Sequence, residues 1–328
     1  MDQARLAAWL KQELGEELRS MAPVGGGCIH SAWQLRLADG RRLFAKTNRA
    51  SLLPVLAAEA DGLRALADAA EAPRAGRRPP GTDPATAAST TETAGDRDTP
   101  QPALTIPTPL ALAVRDDTAL LLLSWLDLSG RGQDPADGWR QLGAGLAGLH
   151  RASLHGHDGR FGWGEDNFIG SGPQANGWLS DWGRFFAERR LGAQLAWAAR
   201  RGRHLSGSEA LLERAAAWLG RHGAEACLVH GDLWSGNAAL LAGGGAAIFD
   251  PAVYRGDREV DLAMARLFGG FPPAFFAGYE AAWPLPAGHH QRRELYNLYH
   301  LLNHANLFGG GYWAQAERSI QSLLRSDA

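Results

Sequence analysis

The chain has 328 residues, 45% of them hydrophobic and 21% charged, which is a globular balance with enough length for one large domain or two lobes. A formal net charge of −2 supplies no basic excess to neutralise a phosphate backbone, so nucleic acid is not an expected partner. Two distant cysteines, Cys28 and Cys227, exclude a disulfide framework, and no apolar run approaches bilayer length, so no membrane association and a reducing cytoplasm are expected.

Met1 to Arg5 carry neither the basic segment nor the apolar run of a signal peptide. Over residues 2–20, Leu6, Trp9, Leu10 and Leu14 recur at the spacing of an amphipathic helix. A glycine run, Gly25-Gly26-Gly27, leads into Cys28-Ile29-His30-Ser31. Trp33, Leu35 and Leu37 then alternate as a strand does. Asp39-Gly40 predicts a two-residue hairpin turn, and residues 42–46 the returning strand. A helix follows with Leu56, Leu63 and Leu66 on one face and Glu59 in its first turns. Residues 71–103 contain six prolines and no Leu, Ile, Val or aromatic residue, too little apolar area to offset the entropy of ordering. A disordered surface insertion is expected there.

Order is expected again from Leu104, and residues 119–125 read as a buried strand that ends at Ser124-Trp125-Leu126. From Trp139 the periodicity is mostly helical, with helices expected at 137–152, 178–199, 208–222, 257–267, 272–282, 290–307 and 311–325. Between them, residues 227–230 and 246–249 read as short buried strands flanking a loop. The expected architecture is α+β. A small strand-rich lobe, residues 1–126, is followed by a larger helical lobe, residues 127–328.

That loop holds the most informative string, His230-Gly231-Asp232-Leu233-Trp234-Ser235-Gly236-Asn237. Phosphoryl transfer asks a protein for positioning, metal ions and cations against phosphates rather than for covalent chemistry. Asp232 and Asn237, with four residues between them, repeat the D-x-x-x-x-N spacing of a kinase catalytic loop, and Asp250 follows Asn237 by thirteen residues at the end of an apolar strand. An amide oxygen and a carboxylate are hard donors suited to Mg²⁺, which leaves Asp232 free to accept a hydroxyl proton. The competing reading, in which Asp and Asn merely cap a turn, does not account for His230, the flanking strands or Asp250.

The first half supplies the complement. The glycine run would let backbone approach nucleotide phosphates, Lys46 ends the second hairpin strand where a cation would reach them, and Glu59 is its natural partner. Backbone groups of Ser124, Trp125 and Leu126 are placed to meet an adenine edge. ATP and Mg²⁺ are therefore the expected cofactors.

Together these residues resemble the fructosamine kinase, or ketosamine-3-kinase, family, a relative of aminoglycoside and choline kinases with a protein-kinase-like fold. Trp234 and Ser235 within HGDLWSGN carry the resemblance most specifically. Phe249-Asp250-Pro251-Ala252, the stretches 256–263 and 267–272, and the tail blocks 295–300, 302–304 and 308–310 reinforce it. Upstream, Phe161-Gly162-Trp163, Asn167-Phe168-Ile169-Gly170, Gln174-Ala175-Asn176 and Asp181-Trp182 extend it.

The resemblance implies transfer of the ATP γ-phosphate to the 3-hydroxyl of a ketosamine, free or protein-bound, with Asp232 as proton acceptor and Asn237 and Asp250 on Mg²⁺. Bacterial members of the family, which this Ala-, Gly- and Arg-rich chain is similar to, tend to prefer ribulosamines or erythrulosamines over fructosamines. The resemblance also implies that Cys28 can link subunits by a redox-sensitive disulfide, so the chain is expected as a monomer or a redox-linked homodimer. His230, Trp234, Asn176 and Trp178 are candidate substrate contacts. His300 and His304, four apart on one helix, lack an evident third metal ligand. Glu259 and Asp261 are expected to fix the loop and cap the helix that follows. Two departures stand out: the insertion at 71–103, and Ser124 where the family often has an acidic residue. The alternatives are an aminoglycoside or choline-type kinase of the same fold, or a catalytically silent nucleotide-binding scaffold, against which Lys46, Asp232, Asn237 and Asp250 all stand.

Overall fold

The computed structural model describes residues 3–25, 29–71, 104–128 and 135–326. Gly26, Gly27, Cys28 and, apart from Glu71, the expected insertion at 71–103 lie outside them. Among the described residues no helix is long and apolar enough to cross a membrane.

The first lobe is built on a five-stranded antiparallel sheet. Its strands are β1 (Leu18–Val24), β2 (Ser31–Leu37), β3 (Arg42–Arg49), β5 (Pro109–Arg115) and β6 (Thr118–Ser124), in the order β1-β2-β3-β6-β5. Helix α1 (Gln3–Leu14) covers one face, where Leu6, Trp9 and Leu10 pack with Leu35, Leu37, Leu43, Ala45, Leu120 and Leu122. Helix α2 (Leu53–Glu71) covers the other, where Leu56, Ala60 and Leu63 meet Ala119, Leu121 and Leu123. Burial on both faces explains why β6 is an uninterrupted apolar run rather than an alternating one. Side chains alternate along β3, so Lys46 shares the α2 face with Phe44.

Two expectations need correction here. The helix predicted over 2–20 stops at Leu14; β1 pairs with β2 from Leu18 and is an edge strand. An edge position explains how Pro23, which has no N–H to donate, sits inside a strand. β1 is exposed along much of its length and lacks the alternation that marks a half-buried strand. The second correction concerns β4 (Leu104–Thr105), which does not join the first lobe's sheet. It pairs in parallel with a strand of the second lobe, across the boundary expected at residue 126.

The second lobe is mainly helical. Helix α3 (Pro135–Ala152) opens it, and the β7–β8 hairpin (Asn167–Ile169, Gly172–Gln174) follows. The helix expected over 178–199 is α4 (Trp182–Phe185), a π-helical stretch over Phe186–Gly192, and α5 (Ala193–Arg200). Then come α6 (Ser208–Gly220), β9 (Cys227–Val229), β10 (Ala238–Leu240), β11 (Ala246–Ile248) and β12 (Tyr254–Gly256). Helices α7 (Glu259–Leu267), α8 (Pro273–Ala282), α9 (His289–Phe308) and α10 (Gly311–Arg325) complete it. β10 pairs with β11 and β9 with β12, so the loop from His230 to Asn237 is held between two small antiparallel units.

Candidate active site

Lys46 on β3 is almost fully buried, and its Nζ lies 2.6 Å from Oε1 of Glu59 on α2. The same ammonium also donates to the Asp250 carboxylate, contributed by the other lobe. Burial alone would depress Lys46, but the charges of Glu59 and Asp250 more than offset it and hold the lysine above its ordinary value. Asp250 shows the converse: burial would raise it, and Lys46 holds it below the usual carboxylate range. Glu59 is pushed up to about 7 by burial, against the pull of Lys46. Asp250 has φ 57°, a left-handed conformation that residues other than glycine rarely adopt and that Asp tolerates better than most.

Two further residues reach this point from β3 and the glycine turn. Asn48 donates from Nδ2 to the carbonyl oxygen of Ile29 at 2.8 Å and contacts His30 Nδ1 at 3.0 Å, tying the return leg of the turn to the strand that carries Lys46. His30 is lowered to about 4 by burial and by Lys46, so it stays neutral beside the cation. Neither residue was expected from the sequence to have a role.

The catalytic loop is anchored from beneath by Asp261 on α7. Asp261 is fully buried and accepts hydrogen bonds from the backbone N–H of His230 at 2.7 Å and of Gly231 at 2.8 Å, and from His150 Nε2 at 3.1 Å. Its carboxyl is held below the usual range: burial would raise it, and the His150 hydrogen bond leads the effects that lower it. His230 donates from Nε2 to the Phe249 carbonyl at 3.0 Å, leaving Nδ1 to accept from Asp232 N–H at 3.3 Å. A neutral ring does both, and burial keeps His230 below its ordinary pKa. Gly231 has φ +80°, and a Cβ there would lie 2.0 Å from the Ala252 carbonyl oxygen, so no other residue fits this crossing.

Asp232 is partly exposed, and its carboxylate accepts no hydrogen bond from the described residues. Burial, with the charges of Asp250 and Asp261, pushes it up to about 7. A carboxylate with a raised pKa and free lone pairs is what a general base requires. Asn237 donates from Nδ2 to the carbonyl oxygens of Asp232 at 2.9 Å and Asp250 at 3.3 Å. Its Oδ1 is then the remaining side-chain atom and, with the Asp250 carboxylate, forms a pair of hard oxygen donors of the type that hold Mg²⁺.

Trp234 and Ser235 are explained by packing. Trp234 is 38% exposed and lies over Gly236, where a Cβ would come within 2.3 Å of its ring. Gly270, with φ +92°, sits on Ser235: a Cβ there would meet Ser235 Oγ at 2.3 Å. The two sequence blocks that carried the family resemblance are thus one packed unit.

Other candidates lie elsewhere. Asn176 is buried with every polar group engaged: its Nδ2 donates to Glu165 O and Asn167 Oδ1, and its Oδ1 accepts from Arg190. It belongs to a network with Gln174, which donates to Asn167 and accepts from Tyr299. Buried polar groups that satisfy one another fix a core and leave nothing to offer a substrate. His230 is excluded as a substrate contact for the same reason. Trp178 lies against His157 and under Arg160. Trp182 is core, with its Nε1 donating to Tyr296 at 3.0 Å.

At Ser124-Trp125-Leu126, Ser124 closes the sheet by donating to Thr108 O at 2.9 Å. Among the described residues Trp125 and Leu126 make no backbone hydrogen bond outside regular strand pairing. Gly25 ends the described part of the glycine turn.

His222, Asp257 and Glu259 also converge, with His222 Nε2 at 2.9 Å from Asp257 and 3.4 Å from Glu259. The group is an ion-pair network rather than a metal site. Arg292 binds Glu259 through two hydrogen bonds, and Tyr296 donates to Asp257. Burial would lower His222, yet these carboxylates lift it to about 9.

The fructosamine kinase family's sequence profile matches residues 1–77 and 98–326. A probable ketoamine kinase of Synechocystis is 40% identical over 323 residues, 98% of this chain and 96% of that protein. The chloroplastic protein-ribulosamine 3-kinase of Arabidopsis thaliana is 34% identical over 333 residues, 99% of this chain and 89% of that protein. Among solved structures, a Haemophilus somnus protein assigned as a fructosamine-3-kinase superposes with a TM-score of 0.78 at 23% identity, covering 98% of this chain and 97% of that one. The aminoglycoside phosphotransferase APH(4)-Ia superposes with a TM-score of 0.57 at 17% identity, covering 98% and 99%. The α+β, two-lobed fold is therefore the protein-kinase-like fold, and the chain belongs to the fructosamine kinase family.

Proposed function

We propose that this protein is an ATP-dependent kinase that phosphorylates the 3-hydroxyl of a ketosamine. The observation that carries the reading is the convergence of Lys46, Glu59, Asp232, Asn237 and Asp250 from both lobes, in a chain whose relatives act on ketoamines and ribulosamines. Backbone groups of Trp125 and Leu126 would hold the adenine edge, and Lys46, fixed by Glu59, would meet the α- and β-phosphates. Asn237 Oδ1 and the Asp250 carboxylate would hold Mg²⁺, which when bound supplies neutralisation of phosphate charge. Asp232 accepts the proton of the 3-hydroxyl as its oxygen attacks the γ-phosphorus and ADP departs.

The product chemistry gives the reaction a purpose. In the 1,2-enolamine form a C3 phosphate is an allylic leaving group, so its elimination followed by hydrolysis would release the free amine and undo glycation. We place the enzyme in the cytoplasm, where ATP and Mg²⁺ are supplied.

ATP consumption measured across erythrulosamine, ribulosamine and fructosamine of one amine, with the phosphate position determined, tests the reading. Transfer to the 3-hydroxyl of at least one is expected. Phosphorylation of an aminoglycoside in parallel reactions, with no ketosamine turned over, overturns it.

A further inference from the structure

Phe268, His304, Phe308 and Tyr312 form a cluster of rings on the second lobe. The Phe268 and His304 centroids are 4.7 Å apart, His304 lies 5.5 Å from Phe308 and 5.2 Å from Tyr312, and Phe268 meets Tyr312 edge-on at 6.3 Å. Phe308 is 60% exposed and Phe268 37%, so two large apolar faces remain open to solvent.

The cluster is placed by its flanks. Phe268 leads directly into Gly270, which is seated on Ser235 of the catalytic loop. On the other side, the Cδ1 atoms of Leu307 and of Ile29, on the return leg of the glycine turn, both lie within 4 Å of where a Cβ on Gly170, in the β7–β8 turn, would stand. Phe268 thus adjoins the segment seated on the catalytic loop, and Phe308 adjoins Leu307 near the return leg of the glycine turn. His304 Nδ1 donates to the His300 carbonyl at 2.9 Å, which fixes the tautomer and leaves Nε2 as an acceptor without a partner among the described residues. One turn earlier His300 is fully buried with neither ring nitrogen hydrogen-bonded. Among the described residues no charged side chain stacks on these four rings. Burial holds His304 below its ordinary value, so the cluster is uncharged as well as aromatic.

In a ketosamine the amine nitrogen, C1, C2, C3 and the 3-oxygen form one short chain. With the 3-oxygen at Asp232 the nitrogen stays beside the catalytic loop, and whatever the nitrogen carries extends beyond it. Trp234, two residues after Asp232 and exposed, lies on the same loop as the Ser235 contact to Gly270.

We propose, on the basis of the ketosamine reading, that this ring shelf holds the substituent carried by the acceptor's amine, and that it favours alkyl chains and aromatic rings over small amines. A lysine side chain in a glycated protein presents such a chain. A free amino acid's carboxylate finds no cation among the rings.

The test uses the full-length protein with ketosamines made from one sugar and methylamine, butylamine or benzylamine, measured for kcat and KM of the acceptor. Butyl and benzyl acceptors are expected to exceed the methyl one in kcat/KM by roughly threefold to tenfold, the effect of one aromatic contact with its buried area. F308A is expected to raise acceptor KM in proportion to the size of the substituent, with F308W retaining the preference. Phe308 is exposed, so F308A is compatible with folding, and F268L provides a second probe of the same surface. Equal kcat/KM across the series, or a preference that F308A and F268L both leave intact, overturns this inference and leaves the ketosamine reading standing. If no member is phosphorylated by the parent protein, the ketosamine reading falls and this inference with it.

Discussion

Asp261 never touches a substrate in the proposed mechanism, yet it carries the catalytic loop. Its carboxylate takes two backbone N–H groups and the His150 ring in a fully buried position. In D261N the side-chain shape is kept and one oxygen becomes an NH₂. His150 can answer by switching tautomer against Tyr279, which lies 2.8 Å from its Nδ1. A backbone N–H cannot switch, so either His230 or Gly231 is left facing a donor. One orphaned buried donor costs about 1–3 kcal/mol, and loss of charge assistance in the remaining bonds adds about 1 kcal/mol. The sum, about 2–4 kcal/mol, is a large share of the ~5–15 kcal/mol that holds a protein folded. D261A orphans both donors and should cost roughly 2–6 kcal/mol.

Urea unfolding at pH 7 measures this. With an m-value of about 3 kcal/mol/M, at the upper end of the usual range, D261N should lower the midpoint by about 1 M, and kcat should fall because Asp232 loses its fixed position. The folded Asp261 pKa is depressed, so its stabilisation is present above the unfolded value near 4 and is lost as pH falls through the folded one. The gap between parent and D261N should therefore narrow below about pH 4. A midpoint within ~0.2 M of the parent at pH 7 would refute the claim that the loop hangs on this carboxylate.

The remaining predictions concern the reacting groups and their supports. D232N should lower kcat by roughly 10²–10⁴-fold while ATP still binds by calorimetry, and retained turnover removes Asp232 from its role. Because burial raises Asp232 to about 7, the parent's kcat/KM should fall as pH drops below about 7, and the folded state should lose stability as pH rises toward 7. D232N should therefore melt higher than the parent at pH 8, and a lower melting point there contradicts the assigned environment. K46M should reduce kcat/KM for ATP on the order of 10²–10³-fold, with E59Q less severe because Asp250 still engages the lysine. A larger loss in E59Q would reverse that ranking. G270A must place a Cβ against Ser235 at φ +92°; a cost of at least about 1–2 kcal/mol in urea and a reduced kcat are expected, and parental behaviour in both would dissolve the link between these blocks.

Much of this site is legible in the sequence because its chemistry constrains residue type locally. Asp232, Asn237 and Asp250 lie within one loop-strand-loop unit, and Lys46 and Glu59 are separated by one turn and half a helix. The direct contact between Lys46 and Asp250 spans 204 positions and cannot be read from spacing. Asn176 fails for a physical reason: Asn167, Gln174 and Asn176 look like a polar surface reaching for ligand, whereas they face inward and satisfy one another around Arg190 and Tyr299. Only the partner, not the residue type, separates those cases. The short strands β7, β8, β10 and β12, of three residues each, are equally silent. Three residues carry no periodicity, and their pairing is decided by what they pack upon.

The carboxylates of the cleft share a crowded region and differ in their partners, which is what assigns their roles. Asp261 is locked by hydrogen bonds and stays ionised where nothing can react with it. Asp250 is held ionised by Lys46. Asp232, with no cation and no donor of its own, is raised and left basic. An ammonium has three protons; with Glu59 and Asp250 taking two, Lys46 keeps one to offer a nucleotide phosphate in the proposed reaction. Glu59 holds Lys46 at 2.6 Å, and in the proposed reaction a divalent cation at Asp250 would share in neutralising that carboxylate.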